Sequence, residues 1–304
     1  MMKPVLLGKG AACRVFAHGD DLARKEFRAD SKATTADVRA YMRHEIQCLR
    51  KCKACKHVVD VRRVWPCQTK FTMPRLDCTL HDLLSADRDD LAFLPKLLRD
   101  MALALACLEE NRIVHFDVKP DNILVRGGDF VLIDFGRAEF IDDDEGVIPD
   151  QRDPPYGALA TQSPEVLKIL TREWEGREPT AYYFVDHRSD IYSLGMVLFW
   201  CVIGKWVNDE RAVAVVRPKM VLGEEENTAV PAIEPAPLSV VRRMHDKMRS
   251  RPPTWPVERA VWIDRTNGRH RTLLDIVVNW MVPYATVGRL FPSDLVARLN
   301  KKIR

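Results

Sequence analysis

The sequence predicts an α+β fold in two lobes, a small antiparallel β-sheet lobe with one helix followed by a larger, mainly helical lobe. Three observations predict it. Short β-prone runs separated by glycine and aspartate turns fill the chain as far as Leu76. A single amphipathic helical pattern interrupts them between Ala36 and Lys53. From Leu91 onward apolar residues recur mainly at helical intervals, with one hairpin among them.

Val5 to Ala17 reads as two short strands around a glycine turn, and "HGDD" turns the chain into another strand from Leu22 to Phe27. In the helix, Val38, Tyr41, Met42, Ile46 and Leu49 lie along one side. Strands are expected around Val58–Trp65 and Phe71–Leu76. Leu91–Leu108 is a long apolar helix that must be largely buried, and "NILVRGGDFVLIDFG" is a hairpin turned on Gly127 and Gly128. "DIYSLGMVLFWCVIG", "TLLDIVVNWMV" and "PSDLVARL" continue the helical pattern.

The bulk numbers exclude little. Hydrophobic residues at 46% and charged residues at 30% describe an ordinary globule, and 304 residues can bury a sizeable core. A formal charge of +4 is no nucleic-acid signature, and basic stretches such as Val241–Arg251 read as solvated helix faces. No apolar run is long enough to span a membrane, the N-terminus lacks the pattern of a secretory signal, and the eight cysteines read as reduced thiols. An intracellular location is expected. Cys48, Cys52 and Cys55 recur at helical spacing, which favours the buried face of one helix over a zinc site with His57.

Chemistry concentrates in a few places. In "LLGKGAACRV", Gly8 and Gly10 would let a backbone turn approach a phosphate, although glycines between strands also serve a plain hairpin. Lys25 lies on the strand beyond, and Glu45 in the helix could hold it. A close pair of that kind has roughly 4 kcal/mol of direct attraction before desolvation. "IVHFDVKPDNILV" packs Asp117, Lys119 and Asn122 together, and "IDFG" adds Asp134. Asp117 can accept a hydroxyl proton, Lys119 can neutralise a moving phosphoryl group, and Asn122 with Asp134 offers oxygens to a hard metal. Phosphoryl transfer needs this positioning and charge cancellation more than covalent help.

With those residues in order, nearly the whole chain resembles the eukaryotic-type protein kinases. The glycine-loop pattern falls on Leu7, Gly8, Lys9, Gly10, Ala11, Ala12, Cys13, Arg14 and Val15, with Cys13 where the third glycine usually stands. The strand lysine is Lys25 and its helix partner Glu45. The catalytic-loop pattern reads His115, Phe116, Asp117, Lys119, Asn122, and the metal motif Asp134, Phe135, Gly136. Ala-Pro-Glu reads Ser163, Pro164, Glu165, and the later helix start matches Asp190, Tyr192, Ser193 and Gly195. "MVPYATVGRLFPSDL" resembles the last helical segment, whose Arg289 would pair with Glu165.

The resemblance implies one kinase domain over residues 1–304, with an N-lobe at 1–74, a hinge at 75–79 and a C-lobe at 80–304. It implies that Leu7–Val15 would cover ATP and that Lys25 would hold the inner phosphates. Met73 would sit beside the adenine, with the Leu76 N–H and the Pro74 carbonyl bonding to it. Asn122 and Asp134 would hold Mg2+, and Asp117 would act as the base. Serine/threonine proteins are the implied substrates, favoured by Lys119-Pro120, with no direct nucleic-acid or membrane partner and a monomeric chain. The compact, divergent look, including "MPRLDCTLHDLL", is similar to kinases of large DNA viruses of the herpesvirus type.

Three departures stand out. Phe116 replaces the arginine that often pairs with an activation-segment phosphate, and that segment has no serine or threonine before Thr161. The expectation is activity without activation-loop phosphorylation, with the acidic run Asp142–Glu145 as a conceivable substitute. Ala158 replaces a threonine that in serine/threonine kinases contacts the catalytic aspartate and lysine, which would slow the enzyme. The stretch between Glu165 and Asp190 is longer than usual. Two other functions compete: a nucleotide-binding pseudokinase scaffold and a small-molecule phosphotransferase of related architecture.

Overall fold

The computed structural model describes residues 4–9, 13–27, 35–66, 69–86, 90–141, 159–174, 185–204, 256–266, 268–283 and 288–302. The first lobe is built on an antiparallel sheet of β1 (Leu6–Lys9), β2 (Cys13–His18), β3 (Leu22–Phe27), β4 (Arg63–Val64) and β5 (Lys70–Pro74), ordered β1-β2-β3-β5-β4. In β3 burial alternates, with Ala23, Lys25 and Phe27 pointing inward, so a lysine shares the face of the core residues. Register sets Lys25 between Val15 on β2 and Phe71 on β5. Helix α1 (Thr35–Lys51) lays Val38, Met42, Ile46 and Leu49 into the core and carries Glu45 on that same buried side.

Two expectations need correction here. Only Arg63–Val64 pairs as a strand in the stretch around Val58–Trp65. Residues 57–59 instead bond to the second lobe, where the Val59 N–H donates to the Leu132 carbonyl and the Leu132 N–H to the His57 carbonyl. Tertiary pairing thus removes Val58 and Val59 from the first sheet. The helix also ends at Lys51, so Cys52 and Cys55 lie in the following turn, with the Cys55 N–H donating to the Cys52 carbonyl. They still meet the core. Cys48 and Cys52 are buried, and Cys55 is half-buried against the same cluster. Burial pushes the Cys48 thiol up to about 12, so it stays protonated. No three metal-ligating side chains gather among the described residues.

In the second lobe β6 (Cys78–Thr79) leads into α2 (Leu80–Ala86). The Asp82 N–H donates to Thr79 Oγ1 while the Thr79 N–H donates back to Asp82 Oδ2, which caps the helix reciprocally. Helix α3 (Leu94–Glu110) begins later than the apolar run because Pro95 suits the first helical turn, and its buried stripe is the spine of the lobe. After β7 (Ile113–Val114), β8 (Ile123–Arg126) and β9 (Asp129–Leu132) form the expected hairpin. Gly127 and Gly128 have φ of 56° and 87°, values that a two-residue turn requires and glycine adopts freely. β10 (Glu139–Phe140) pairs with β7.

Among the described residues the helical remainder comprises α4 (Pro164–Trp174), α5 (Arg188–Ile203), α6 (Pro256–Arg265), α7 (Arg271–Ile276), which runs into a π-helical turn (Val277–Met281), and α8 (Pro292–Lys302). Helix α5 is apolar all round and buried along nearly its full length. A Cβ on Gly195 would stand 2.5 Å from Val282 Cγ1, so α5 and the π-helical turn meet there closely enough to need glycine. No helix among the described residues is long and apolar enough to cross a membrane.

Candidate active site

The two lobes meet at an ammonium. Lys25 Nζ donates to Glu45 at 2.7 and 2.9 Å and to Asp134 Oδ1 at 2.7 Å, joining β3, α1 and the loop after β9. Burial alone would lower the Lys25 pKa, but the Asp134 and Glu45 carboxylates outweigh it and hold the ammonium well above its ordinary value. For Asp134 burial acts upward, yet the Lys25 charge and hydrogen bond win and keep its carboxyl well below the usual range. Burial pushes Glu45 up, and Lys25 pulls it back. Lys25 is therefore a fixed cation, and Asp134 a fixed anion, at neutral pH.

Beneath them lies a short loop whose backbone is tightly held. Phe116 sits at φ 60° and Asp134 at φ 64°, a region that an aromatic residue rarely adopts. The Asp190 carboxylate maintains the first of these turns by accepting the His115 N–H at 2.7 Å and the Phe116 N–H at 3.0 Å. His115 accepts the Asp117 N–H on Nδ1 at 3.2 Å, so Nε2 carries its proton and donates to the Ile133 carbonyl at 3.1 Å. Burial lowers the His115 pKa, which keeps this imidazole neutral.

On that frame Asp117 Oδ2 accepts from Lys119 Nζ at 2.6 Å and from Asn122 Nδ2 at 2.8 Å. Asn122 Nδ2 also donates to the Asp117 carbonyl at 2.8 Å. With both amide hydrogens committed to Asp117, the Asn122 Oδ1 is the atom left to coordinate a cation. Asn122 and Asp134 are both oxygen donors, which suits a hard divalent ion held by one or two protein groups with phosphates and water completing its shell. Lys25 thus joins Glu45 and Asp134 directly, and the Lys119 charge acts on the Asp134 carboxyl, which brings the group of Asp117, Lys119 and Asn122 beside them.

The segment that enters α4 is anchored as well. Arg289 grips Glu165 with Nη1–Oε1 at 2.6 Å and Nη2–Oε2 at 3.0 Å, while Ser163 and Ser189 share a hydroxyl contact of 2.8 Å. The protein kinase domain family matches residues 3–252. The chain belongs to the protein kinase family.

Among relatives of this kinase, a MAP kinase-interacting serine/threonine-protein kinase 1 of Xenopus tropicalis is 26% identical over 215 residues, covering 66% of this chain and 49% of the relative. The serine/threonine-protein kinase MPS1 of Saccharomyces cerevisiae is 24% identical over 234 residues, covering 73% and 29%. A dual specificity protein kinase Ttk of Danio rerio is 33% identical over 107 residues, covering 35% and 10%. The chain therefore spans half or less of the length of these curated relatives.

Part of the glycine-loop pattern and two of the departures fall outside the described residues. Gly10, Ala11 and Ala12 lie outside the described residues, as do Ala158 and Asp142–Glu145. Leu7, Gly8 and Lys9 are on β1, and Cys13, Arg14 and Val15 on β2, which pairs with both β1 and the strand of Lys25. A Cβ on Gly8 would come no nearer than 4.0 Å to the Val15 Cβ, so packing inside the chain does not demand glycine there. Met73 is buried near the end of β5, and Leu76 is half-buried just beyond it.

Proposed function

We propose that this kinase domain transfers the γ-phosphoryl group of ATP to serine or threonine hydroxyls of proteins. The observation that carries the reading is the Lys25 ammonium bound at once to Glu45 and Asp134, above a carboxylate that gathers Lys119 and Asn122. In this reading Lys25 holds the inner phosphates of ATP, Leu7–Val15 covers them, and the Leu76 N–H receives the adenine. Asp117 orients the substrate hydroxyl and takes its proton, and Lys119 offsets charge on the transferred group. Asn122 and Asp134 hold Mg2+, which supplies neutralisation of phosphate charge when bound. Serine/threonine specificity is supported by Lys119-Pro120 and by the serine/threonine-protein kinases among the relatives.

The kinase works without activation-loop phosphorylation. Phe116 is 1% exposed, and its left-handed backbone is set by Asp190, so the catalytic loop is organised with no arginine–phosphate contact. It acts as a monomeric intracellular enzyme on protein substrates. The test is a peptide-array assay with Mg-ATP on phosphatase-treated protein, wild type beside Lys25→Met. Activity in the wild type alone supports the reading. Binding of ATP with no transfer by either protein would instead favour a nucleotide-binding scaffold.

A further inference from the structure

The residue before the candidate base is held at both of its backbone polar groups. Asp190 takes the N–H groups of His115 and Phe116, and Gln162 Nε2 donates to the Phe116 carbonyl at 2.7 Å. Gln162 is 1% exposed and belongs to the segment that enters α4, where its own N–H donates to the Leu159 carbonyl at 3.2 Å. The next residue, Ser163, meets Ser189, and Glu165 is clamped by Arg289. One amide therefore joins this anchored segment to the residue immediately before Asp117.

We propose that Gln162 is a positioning residue for phosphoryl transfer, fixing the backbone of Asp117 through the Phe116 carbonyl. The inference rests on the kinase reading above. Packing alone gives a poor account of the side chain. Its Oε1 is buried with no hydrogen-bond partner among the described residues, which costs stability. A methionine or leucine of similar volume would fill the same space without burying that oxygen, losing only the bond to the Phe116 carbonyl. What the amide adds is direction, since Nε2 reaches the carbonyl of a residue held in the left-handed region, with φ 60°. Gln162 thereby ties the segment that enters α4 to the loop that carries Asp117.

The experiment uses the full chain with Mg-ATP and the best peptide from the array, comparing wild type with Gln162→Met. Expected are a fall of about tenfold in kcat and in the single-turnover transfer rate, an ATP KM within about twofold, and a melting temperature close to that of wild type, because relief of the unpaired Oε1 offsets the orphaned Phe116 carbonyl. Gln162→Leu replaces it, with the same readings, if the methionine variant does not fold. A kcat within twofold of wild type would overturn the proposal, as would a loss of kcat matched by a lower melting temperature, since that marks a structural role. An inactive wild type instead overturns the kinase reading, so the two failures are distinguishable.

Discussion

Replacing Glu165 with alanine should unfold this domain far more readily than a surface substitution would. The Arg289 side chain is fully buried, at 0% exposed, and Glu165 is only 13% exposed. Two charge-assisted bonds of 2.6 and 3.0 Å join them, and the guanidinium also donates from Nε to the Pro283 carbonyl at 2.8 Å and lies 4.8 Å over the Tyr192 ring. Removing the carboxylate strips a buried cation of its counter-charge, a change that costs about 3–5 kcal/mol. At about 2–4 °C per kcal/mol for a domain of this size, the melting temperature should fall by about 6–20 °C. Thermal and urea unfolding of Glu165→Ala, Arg289→Met and the double variant Glu165→Met with Arg289→Met would measure it. The double variant should recover most of the loss, because two apolar groups leave no orphaned charge. A fall below about 2 °C for Glu165→Ala, or strictly additive losses in the pair, would refute the reasoning.

Gly195→Ala should cost about 1–3 kcal/mol, read by urea unfolding, because its Cβ would overlap Val282 Cγ1 at 2.5 Å; an unchanged midpoint would refute the close approach. Asp190→Asn should slow phosphoryl transfer and lower stability by about 1–3 kcal/mol, since an amide has one oxygen for two backbone N–H groups, and steady-state kinetics with a melt would check both. Stability should also fall between pH 6.5 and 5. Burial lowers the pKa of His115 and His187, so the unfolded chain takes their protons first and the stability present above pH 6.5 is lost on acidification. Burial raises Asp190 to about 7, so its contribution has the opposite sign, present at low pH and lost as pH rises toward neutrality. Two imidazoles against one carboxyl leave a net slope of at most about 1.4 kcal/mol per pH unit, and Asp190→Asn should steepen it. A flat melting temperature across that range would contradict these assignments.

Much of the site could be read from the sequence because its chemistry depends on local spacing. Asp117, Lys119 and Asn122 lie within six residues, and a single loop orders all three. Lys25 was legible through its place on the strand beyond the glycine loop, and Glu45 through its helix, although only tertiary packing could join them to Asp134. What escaped the sequence was mostly set by distant partners. Val58 and Val59 look like a strand of the first sheet, yet Leu132 claims their backbone. Gln162 carries no local signal, since its partner is a carbonyl 46 positions earlier whose direction depends on a left-handed aromatic residue. The role of Asp190 was equally hidden, for its helix start announced a motif but not the two N–H groups that it holds.

The most direct test of the account is single-turnover transfer from radiolabelled Mg-ATP to a peptide, comparing wild type with Asp117→Asn at matched nucleotide occupancy. The account predicts that the variant binds ATP as well as wild type while transferring at least a hundredfold more slowly, roughly the contribution of a positioned base. Equal transfer rates in the two proteins would contradict it.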